Sequence, residues 1–495
     1  MRPAPHHTRQ QALTATGNAH LHAWATQLLA HPLPGLLDVV PAYTTLYVEY
    51  DADRHTGHDV RAWLARHEPP PGASGSGRHV TLRVRYDGED LPDIAARTGL
   101  SEQDVVALHA AAPYRVYAVG FVAGFPFLGE VPPALRLPRR DTPRARVPAH
   151  SVAIANAQTG VYPVPSPGGW HLLGHALDAV YDPHRPDPFL LHPGDTVTFT
   201  PTLHGDVPAP PAPLDVLPAH PRHPTLHVDR PGPLDLVQDE GRFMGGRHGL
   251  VRAGYAHRPA AHTAHRLLGT PVTAPLLELH LGGPTCTVLR DTTLSVTGNG
   301  PQASLDGTPV PAWSSFAVRA GQRLTFRPGR DGRVSYLALP GGLDATPFLG
   351  SASTDLRASI GRPLRAGDTL GSAEARRPLP GRTYRPHAAP GPLRLLPFPD
   401  HDPHVLATLL AHPWTVQDAD RMGVRLHGHA LAGGETLSQG NPVGSVQVPP
   451  GGQPLILLHD KGTLGGYSTP ARVHPHDLWR LADLRPGDPL HFRPA

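Results

Sequence analysis

The sequence has almost no cysteine and almost no lysine: Cys286 and Lys461 are the only ones in 495 residues. A lone cysteine excludes an intramolecular disulfide and indicates a reducing compartment. Cys286 lies in the apolar run 281–289, where a buried structural thiol is expected rather than a nucleophile. Because 44 residues are Lys or Arg, the basic side chains are nearly all arginine, which we attribute to a codon bias toward GC-rich triplets.

Long apolar runs are also absent. No stretch approaches the ~18 apolar residues of a membrane span, and the N-terminus lacks the apolar segment of a secretion signal. We therefore expect a cytoplasmic protein that does not bind membranes. The formal net charge is only +3, and no arginine cluster alternates with aromatic residues, so a nucleic-acid partner is not supported. The phosphate-binding patterns G-x-x-x-x-G-K-[ST] and G-x-G-x-x-G are missing as well.

Proline and glycine are abundant, with 62 and 52 residues. Such closely spaced breakers predict short strands and turns, with sustained helices only near the N-terminus. A chain of this length is expected to form two to four domains. Near the N-terminus, 18–31 and 58–66 have helical patterns, and 39–51 is predicted to be one strand.

Three Gly-Asp pairs, at 194–195, 367–368 and 487–488, each come just before a short apolar strand. This recurrence is a weak internal repeat in which each pair supplies a tight turn before a final strand. It predicts three β-units in addition to a small N-terminal domain.

Residues 120–174 carry the densest motif signal. Glycine-rich turns at 120–129 and 166–174 flank a Pro-Arg pair at 138–139. Glycine allows a ligand to approach the main chain closely, and Trp170 offers a large flat apolar face after Pro-Gly-Gly. In order and spacing, these blocks resemble the family of the B-type subunit of 5-oxoprolinase, also known as allophanate hydrolase subunit 1 and as a sporulation-kinase inhibitor.

The second half resembles the partner of that protein, the C-type subunit of the same enzyme. The blocks that carry this resemblance are 238–242, 349–354, 361–368, 422–426, 447–449 and 460–467. The chain is therefore predicted to be a natural fusion with the B-type half first and the C-type half second. The same pair of modules resembles the carboxyltransferase region of urea carboxylase.

The resemblance implies cyclophilin-like β-barrels, in agreement with the Gly-Asp count. The predicted fold class is mainly β, with a small α/β N-terminal domain and several cyclophilin-like β-barrel units. The predicted domains are a small α/β domain (1–77) and a barrel (78–205) in the B-type half, a Pro-rich linker (206–224), and two β-barrel domains (225–375 and 376–495) in the C-type half.

In the B-type half, His109 and Arg139 are candidate catalytic residues. The family also carries a histidine at the position of His109, which ends a predicted helix. Arg139 follows a proline in a loop. The alternative to a catalytic His109 is a structural histidine that the helix dipole favours. The alternative to a catalytic Arg139 is a solvated surface arginine. The predicted substrate-binding residues are Gly124, Phe125, Gln158, Thr159, Ser166, Gly168, Gly169 and Trp170.

In the C-type half, hydroxyl groups near a guanidinium suit recognition of a carboxylate or phosphate, although they are also ordinary turn residues. The predicted substrate-binding residues are Ser351, Ser353, Thr354, Arg362, Arg425, Gln447, Thr463, Gly465, Gly466 and Tyr467. Asp460 follows an apolar run and is a candidate catalytic carboxylate at a strand end. A turn aspartate would occupy the same position.

Two blocks depart from the family pattern. His257 and His265 stand where the C-type family has an acid and an amide, and Gly462 and Leu464 replace a Gln and a Thr. These changes predict weakened or altered activity. No metal site is predicted at these histidines or at His262, because 34 histidines make clusters common by chance.

The resemblance implies the fused B/C component of an ATP-dependent 5-oxoprolinase, which opens a lactam to glutamate together with a separate protein that resembles the A-type subunit. ATP, with Mg²⁺, would be a co-substrate. The ligand, a small lactam or amide, is expected between the two halves. One alternative is a carboxyltransferase-type module as in urea carboxylase, although the chain has no biotin-accepting Ala-Met-Lys site and no biotin carboxylase module. Another is a non-enzymatic regulator that binds a sensor histidine kinase.

Overall fold

The computed structural model describes residues 7–10, 15–75, 77–329, 331–386, 391–398 and 401–495. Within these ranges strands far outnumber helices, and one sheet closes into a barrel. The predicted mainly β fold class is confirmed. None of the helices in the described ranges is long and apolar enough to cross a membrane.

The N-terminal unit is a three-stranded antiparallel sheet with two helices. Its elements are β1 (His7–Gln10), α1 (Ala15–Ala30), β2 (Leu36–Pro41), β3 (Thr45–Tyr50) and α2 (Gly57–Arg66), and the sheet order is β1-β3-β2. The prediction of one strand over 39–51 is wrong, because a turn at 42–44 divides it into a hairpin. Residues 1–6 and 11–14 of the predicted first domain lie outside the described residues.

The next unit contains the closed barrel. Its helices are α3 (Leu91–Thr98) and α4 (Glu102–Ala111), and its strands are β4 (His79–Arg85), β5 (Tyr114–Val119), β6 (Pro126–Gly129), β7 (Arg144–Val147), β8 (Ser151–Ala155), β9 (Gln158–Val161), β10 (Ser166–Gly168), β11 (His171–Ala176) and β12 (Thr196–Pro201). The barrel order is β11-β4-β12-β5-β6-β9-β8; β12 pairs in parallel with β4, and β8 closes the barrel by pairing antiparallel with β11. Apolar side chains of β4, β5, β8 and β12 fill its interior.

The third unit consists of two packed sheets. Its helix is α5 (Arg258–Leu268), and its strands are β13 (Pro224–Arg230), β14 (Leu234–Gln238), β15 (Leu276–His280), β16 (Thr285–Val288), β17 (Thr292–Gly298), β18 (Gln302–Leu305), β19 (Thr308–Pro309), β20 (Ser314–Val318), β21 (Arg323–Arg327), β22 (Val334–Ala338) and β23 (Thr369–Gly371). The sheet orders are β19-β18-β21-β16-β13-β23 and β14-β15-β22-β17-β20. Cys286 is fully buried in β16, and burial raises the pKa of its thiol, as expected of a structural cysteine.

The last unit is a large, strongly curved sheet with one helix. Its elements are β24 (Leu393–Pro397), α6 (Pro403–Ala411), β25 (Trp414–Ala419), β26 (Gly423–Gly428), β27 (Glu435–Gly440), β28 (Ser445–Val448), β29 (Leu455–Leu457), β30 (Leu464–Val473), β31 (Pro489–Leu490) and β32 (Phe492–Pro494). The final strand β32 again pairs in parallel with the first strand, β24.

The three Gly-Asp turns share one geometry. Gly194, Gly367 and Gly487 all have φ between 93° and 94°, a left-handed conformation that L-residues other than glycine rarely adopt. In each turn the following aspartate accepts a hydrogen bond from the main-chain N–H three residues earlier, at 2.7–2.9 Å. The repeat predicted from the sequence is therefore a shared turn that leads into a late strand of each β-unit.

Main-chain and side-chain contacts join the two halves directly. Tyr181 Oη donates to Ala358 O at 2.7 Å, and Arg357 Nη2 donates to Phe121 O at 2.9 Å. The largest apolar cluster includes side chains from the N-terminal hairpin, the barrel and both later units. The hairpin β2–β3 is thereby held against the C-type half, and this arrangement forms the cleft described next.

Candidate functional site

A cleft of about 750 Å³ opens between the hairpin β2–β3, helix α5 and the last β-unit. Its lining residues are Leu37, Glu49, Tyr50, Asp51, Ala52, Glu240, Phe243, Arg252, Tyr255, Ala256, Arg258, Pro259, His262, Arg266, Val443, His459, Arg472, Pro475, His476, Leu478 and Trp479. Its volume suits a small-molecule ligand.

One wall of the cleft is a face of α5. Arg258, His262 and Arg266 are four residues apart and therefore lie in a row along this helix. Glu240 accepts hydrogen bonds from Arg258, at 2.8 Å, and from His262. Although burial opposes ionisation, these two partners hold the pKa of Glu240 below its ordinary value. Arg266 is exposed and makes no ion pair among the described residues, so its guanidinium is accessible to an anion.

Five charged residues that interact with one another, Asp38, Glu49, Arg252, Lys461 and Arg472, are called the cleft floor below; Glu49, Arg252 and Arg472 line the cleft, and Asp38 and Lys461 do not. Arg252 donates to Glu49 at 2.9 Å. Burial and the charge of Glu49 raise the pKa of Asp38 to about 6. Burial lowers the pKa of Lys461 to about 8, although Glu49 opposes the shift. The floor therefore contains three basic and two acidic side chains.

A buried ion network lies behind the cleft. Glu278 is fully buried and accepts hydrogen bonds from Tyr336 Oη at 2.7 Å, from His280 Nε2 at 2.8 Å and from Arg421. Arg421 also donates to both carboxylate oxygens of Asp460, at 2.8 and 2.9 Å. Burial alone would raise the pKa of Glu278, but Arg421 and His280 hold it well below its ordinary value. The network joins the third unit to the last one.

His459 lies between this network and the cleft. Its side chain lines the cleft, and it forms no hydrogen bond with the residues that the structure describes. Burial and the nearby Arg421 guanidinium lower the pKa of His459 to about 3. The imidazole is therefore neutral at physiological pH and able either to donate or to accept a hydrogen bond.

The structure places the predicted catalytic residue His109 inside the barrel. The side chain is fully buried, with Nδ1 2.7 Å from Tyr86 Oη and Nε2 2.8 Å from Thr159 Oγ1. Its ring stacks on Phe199 with centroids 4.6 Å apart. Burial lowers the pKa of His109 to about 3, so a charged imidazole attracted by the helix dipole does not account for this residue. Its catalytic role stays a prediction, and its contacts are those of a core residue.

The aromatic face expected at Trp170 is not presented to solvent. Trp170 is 6% exposed and packs edge-on against Phe125 and Phe127, with ring centroids 5.5 and 6.0 Å away. A Cβ at Gly168 would overlap the Tyr162 hydroxyl. The flat face of Trp170 is therefore packed against other aromatic rings, and its role in substrate binding stays a prediction.

The other predicted residues of the B-type half divide between surface and scaffold. Arg139 is exposed, and Gln158 is hydrogen-bonded to Tyr43 near it. Gly124 has a φ of 76° and donates its N–H to the carbonyl of His248. Ser166 Oγ donates to the carbonyl of Val164. The carbonyl of Gly169 accepts from the main chain of residue 140. Arg139 is thus the exposed residue of this set, and Gln158, Gly168 and Gly169 are half-buried.

The predicted hydroxyl cluster of the C-type half binds a carboxylate within the chain. Ser351 Oγ and Ser353 Oγ each donate to Asp239 Oδ1 at 2.6 Å, and the N–H of Ala352 donates to Asp239 Oδ2 at 2.7 Å. Arg242 is 2% exposed and donates to the carbonyls of Phe348, Ser351 and Ser353. The Gln-Asp-x-Gly-Arg block therefore folds the loop that carries the serines. Thr354 is buried beside them.

Arg362 is likewise occupied within the chain. Its guanidinium donates to Asp368 at 2.8 and 2.9 Å and to Asp215 at 2.8 Å. Asp215 belongs to the Pro-rich segment that precedes β13. Arg362 thus fastens this segment to the third unit, and the expected ligand contact stays a prediction.

The remaining predicted residues lie in or beside the last sheet. Asp460 is paired with Arg421, as described above, and Arg425 is exposed on β26. Gln447 Nε2 is 3.5 Å from Asn441 Oδ1, and a Cβ at Gly465 would collide with both side chains. The other members of this set are the buried Thr463 and the half-buried Gly466 and Tyr467.

None of the predicted site residues lines the cleft. The residues that do were missed because they belong to three distant segments, and Glu240, although it lies in the 238–242 motif block, was not singled out. One local signal was present: the four-residue spacing of Arg258, His262 and Arg266. The histidines singled out in this segment do not converge. His257 caps the N-terminus of α5, and His265 contacts Tyr255 Oη at 3.2 Å. The described residues contain no group of three or more His, Cys, Asp or Glu side chains placed to hold a metal.

Two family models match the chain. "Carboxyltransferase domain, subdomain C and D" matches residues 7–191, and "Carboxyltransferase domain, subdomain A and B" matches residues 248–494. The fold is shared with the crystal structure of TTHA0988, which is 50% identical with a TM-score of 0.94, covering 99% of this chain and 100% of that one. The class of protein is thus a carboxyltransferase-domain protein with both domain pairs in one chain.

Curated relatives match each half separately. The C-type subunit of 5-oxoprolinase from Escherichia coli K12 is 36% identical over 54% of this chain and 90% of its own length. The B-type subunit from Escherichia coli O157:H7 is 40% identical over 35% of this chain and 81% of its own. Urea amidolyase from Lachancea kluyveri is 29% identical over 54% of this chain, which is 17% of that enzyme. The chain belongs to the family of the B-type and C-type 5-oxoprolinase subunits, here fused in one polypeptide.

Proposed function

We propose that the protein is the fused B/C component of an ATP-dependent 5-oxoprolinase, a hydrolase that opens the lactam 5-oxoproline to glutamate together with a separate A-type partner protein. The observation that carries the proposal is the match of each half to the corresponding subunit over most of that subunit's length. The cleft supports it, since its walls come from both halves and a small molecule would contact both.

The chemistry explains why ATP enters the proposal. A lactam carbonyl is a poor electrophile, and transfer of a phosphoryl group to its oxygen makes attack of water at the carbonyl carbon feasible. Such a step needs cationic groups to spread the phosphate charge. Arg258 and Arg266 on α5 are suited to this role because guanidinium groups bind phosphate oxygens through paired N–H donors. ATP, with Mg²⁺, is a co-substrate in this proposal, and the arginines of the cleft fit its phosphates.

The apolar side of the cleft would hold the ring of the substrate. Phe243, Leu478 and Trp479 line it and exclude water from the methylene groups of a lactam. The neutral His459 is placed to exchange a hydrogen bond with the lactam N–H or carbonyl. Together these groups would orient the ring, with the reacting bond toward the arginines.

The test combines the full chain with an A-type partner protein of the family, ATP and 5-oxoproline, and measures ADP and glutamate. Both products should form in equal amounts, and Arg258→Met should slow their release at least about tenfold through loss of a charge-assisted contact. Arg146→Met, an exposed position in β7 of the other half, is the matched control and should leave the rate unchanged. Release of neither product, with any of a panel of small lactams and amides, would reject the proposal.

A carboxyltransferase role is the second candidate, favoured by the similarity to urea amidolyase. It predicts that the protein moves a carboxyl group from free carboxybiotin to urea or to another amide without consuming ATP. Transfer of ¹⁴C label from carboxybiotin to such an acceptor, together with no ATP hydrolysis in the first assay, would favour this candidate over the lactam hydrolase.

A further inference from the structure

We propose that the cleft floor is a binding site for a small carboxylate, held by Lys461, Arg252 and Arg472. The inference deepens the proposed function, on which it rests, because it assigns the part of the cleft that recognises the acid group of the substrate. It is tested by binding rather than by turnover, so that its failure is distinguishable from failure of the proposed function.

The first observation is the environment of Lys461. The side chain is buried, with 8% exposed, and Nζ makes a single long hydrogen bond, 3.4 Å, to the carbonyl of the next residue, Gly462. No carboxylate of the described residues lies within ion-pair distance of Nζ. A buried ammonium is unfavourable unless an anion and hydrogen-bond acceptors surround it. Lys461 therefore lacks the partner that a purely structural lysine would have.

The second observation is the balance of charge around it. Glu49 is the carboxylate that attracts Lys461 most strongly, but its side chain is already engaged by Arg252 at 2.9 Å. Arg472 is 4% exposed and also lowers the pKa of Glu49. The other acid, Asp38, accepts its hydrogen bonds from main-chain N–H groups. The carboxylates of Glu49 and Asp38 are thus engaged by Arg252 and by main-chain N–H groups, and an added carboxylate would give the ammonium of Lys461 an acceptor.

The third observation is access. Glu49, Arg252 and Arg472 line the cleft, and Lys461 lies directly behind them. Two guanidinium groups and one ammonium offer the paired and single N–H donors that carboxylate oxygens accept. The apolar lining on the opposite side leaves room for an uncharged ring. A small ring that bears one carboxylate fits both the basic donors and the apolar lining. A neutral ring fits only the apolar lining.

The experiment uses the full chain at pH 7 and three probes: 5-oxoproline, its uncharged analogue 2-pyrrolidinone, and acetate. By calorimetry, 5-oxoproline should bind at least about tenfold tighter than 2-pyrrolidinone. Lys461→Met and Lys461→Gln should each weaken 5-oxoproline binding by about ten- to a hundredfold, as expected for loss of a charge-assisted contact. They should change 2-pyrrolidinone binding by less than about twofold. Arg146→Met is the control and should change neither.

The single lysine provides a second readout that does not depend on the lactam. Reductive methylation with ¹³C-formaldehyde labels Lys461 and the terminal amine, and the two dimethylamine signals are resolved by NMR. Acetate should shift the Lys461 signal and leave the terminal signal in place. A shift by acetate without binding of 5-oxoproline would support the carboxylate site and count against the proposed substrate. Equal binding of acid and neutral probes, or no acetate shift, would overturn the inference.

Discussion

Two groups of polar residues in this protein have opposite surroundings. In the motif block, Gln238–Arg242 with Ser351–Thr354, the carboxylate of Asp239 is engaged within the block: it accepts from two serine hydroxyls and from two main-chain N–H groups. In the cleft floor, by contrast, the buried ammonium of Lys461 forms no ion pair with any residue that the structure describes. Residues of the motif block are thus placed to hold the fold, and residues of the cleft floor are placed to hold a ligand.

The physical reason lies in the cost of burying charge. A buried carboxylate must be met by several donors, so the loops that enclose Asp239 need small hydroxyl residues at fixed spacings. Such spacing produces a recognisable motif. A ligand site needs the reverse, donors left without a full set of partners, and these come from whichever segments the fold brings together.

The largest effect is expected from breaking the motif block. Asp239→Ala removes the acceptor of two hydroxyls and two N–H groups, and it removes one of the two carboxylates whose charges act on Arg242, the other being Asp355. The free energy of unfolding should fall by about 3–5 kcal/mol, measured by urea denaturation. The matched control is Asp229→Ala, since this exposed carboxylate accepts only from Thr287. A loss for Asp239→Ala no greater than for the control would contradict the structural role.

A smaller loss of stability is expected when His109 is replaced. This substitution tests whether a predicted catalytic residue has a structural role instead. His109→Leu leaves Tyr86 Oη without its partner in the barrel core, and unfolding should become easier by about 1–3 kcal/mol. Leu409 occupies the corresponding place in the last unit, where Trp414 Nε1 donates to the carbonyl of Leu409 as Tyr114 Oη does to that of His109. Unchanged stability combined with lost turnover would instead assign His109 to catalysis.

In the cleft floor, replacing Lys461 should increase the free energy of unfolding rather than decrease it. Burial lowers the pKa of Lys461 from 10.5 to about 8, so between these values the unfolded chain binds more protons than the folded one. Wild-type stability therefore rises with pH across this window, and the penalty is fully present below pH 8. Lys461→Met should be more stable than wild type by about 1–3 kcal/mol at pH 7. The difference should shrink as pH approaches 10.5, and a difference independent of pH would refute the shift.

The smallest effect on stability is expected at the mouth of the cleft. Arg266 is exposed on α5, so Arg266→Met should change the free energy of unfolding by less than about 0.5 kcal/mol. Binding of an anionic probe such as pyrophosphate should nevertheless weaken severalfold, measured by calorimetry, with Arg146→Met as the control. Equal pyrophosphate binding by both variants would show that this face of α5 does not contact anions.

The sequence by itself determined the fold class, the family and many local elements. Helix α2 and the three Gly-Asp turns follow from local rules, since a helical pattern or a left-handed glycine depends on a few neighbouring residues. The hairpin at 36–50 was missed because three turn residues without glycine or proline gave no break in the apolar pattern.

Only the tertiary structure decided what the polar residues do. Ser351 and Arg362 were candidate ligand contacts because hydroxyl and guanidinium groups suit anions. In the folded chain, however, they donate hydrogen bonds to Asp239 and Asp368. Conversely, Lys461 gained its significance from Glu49 and Arg252, which are more than 200 residues away in sequence. Whether a donor is satisfied depends on every group within a few ångströms, and that set is fixed by how the four units pack.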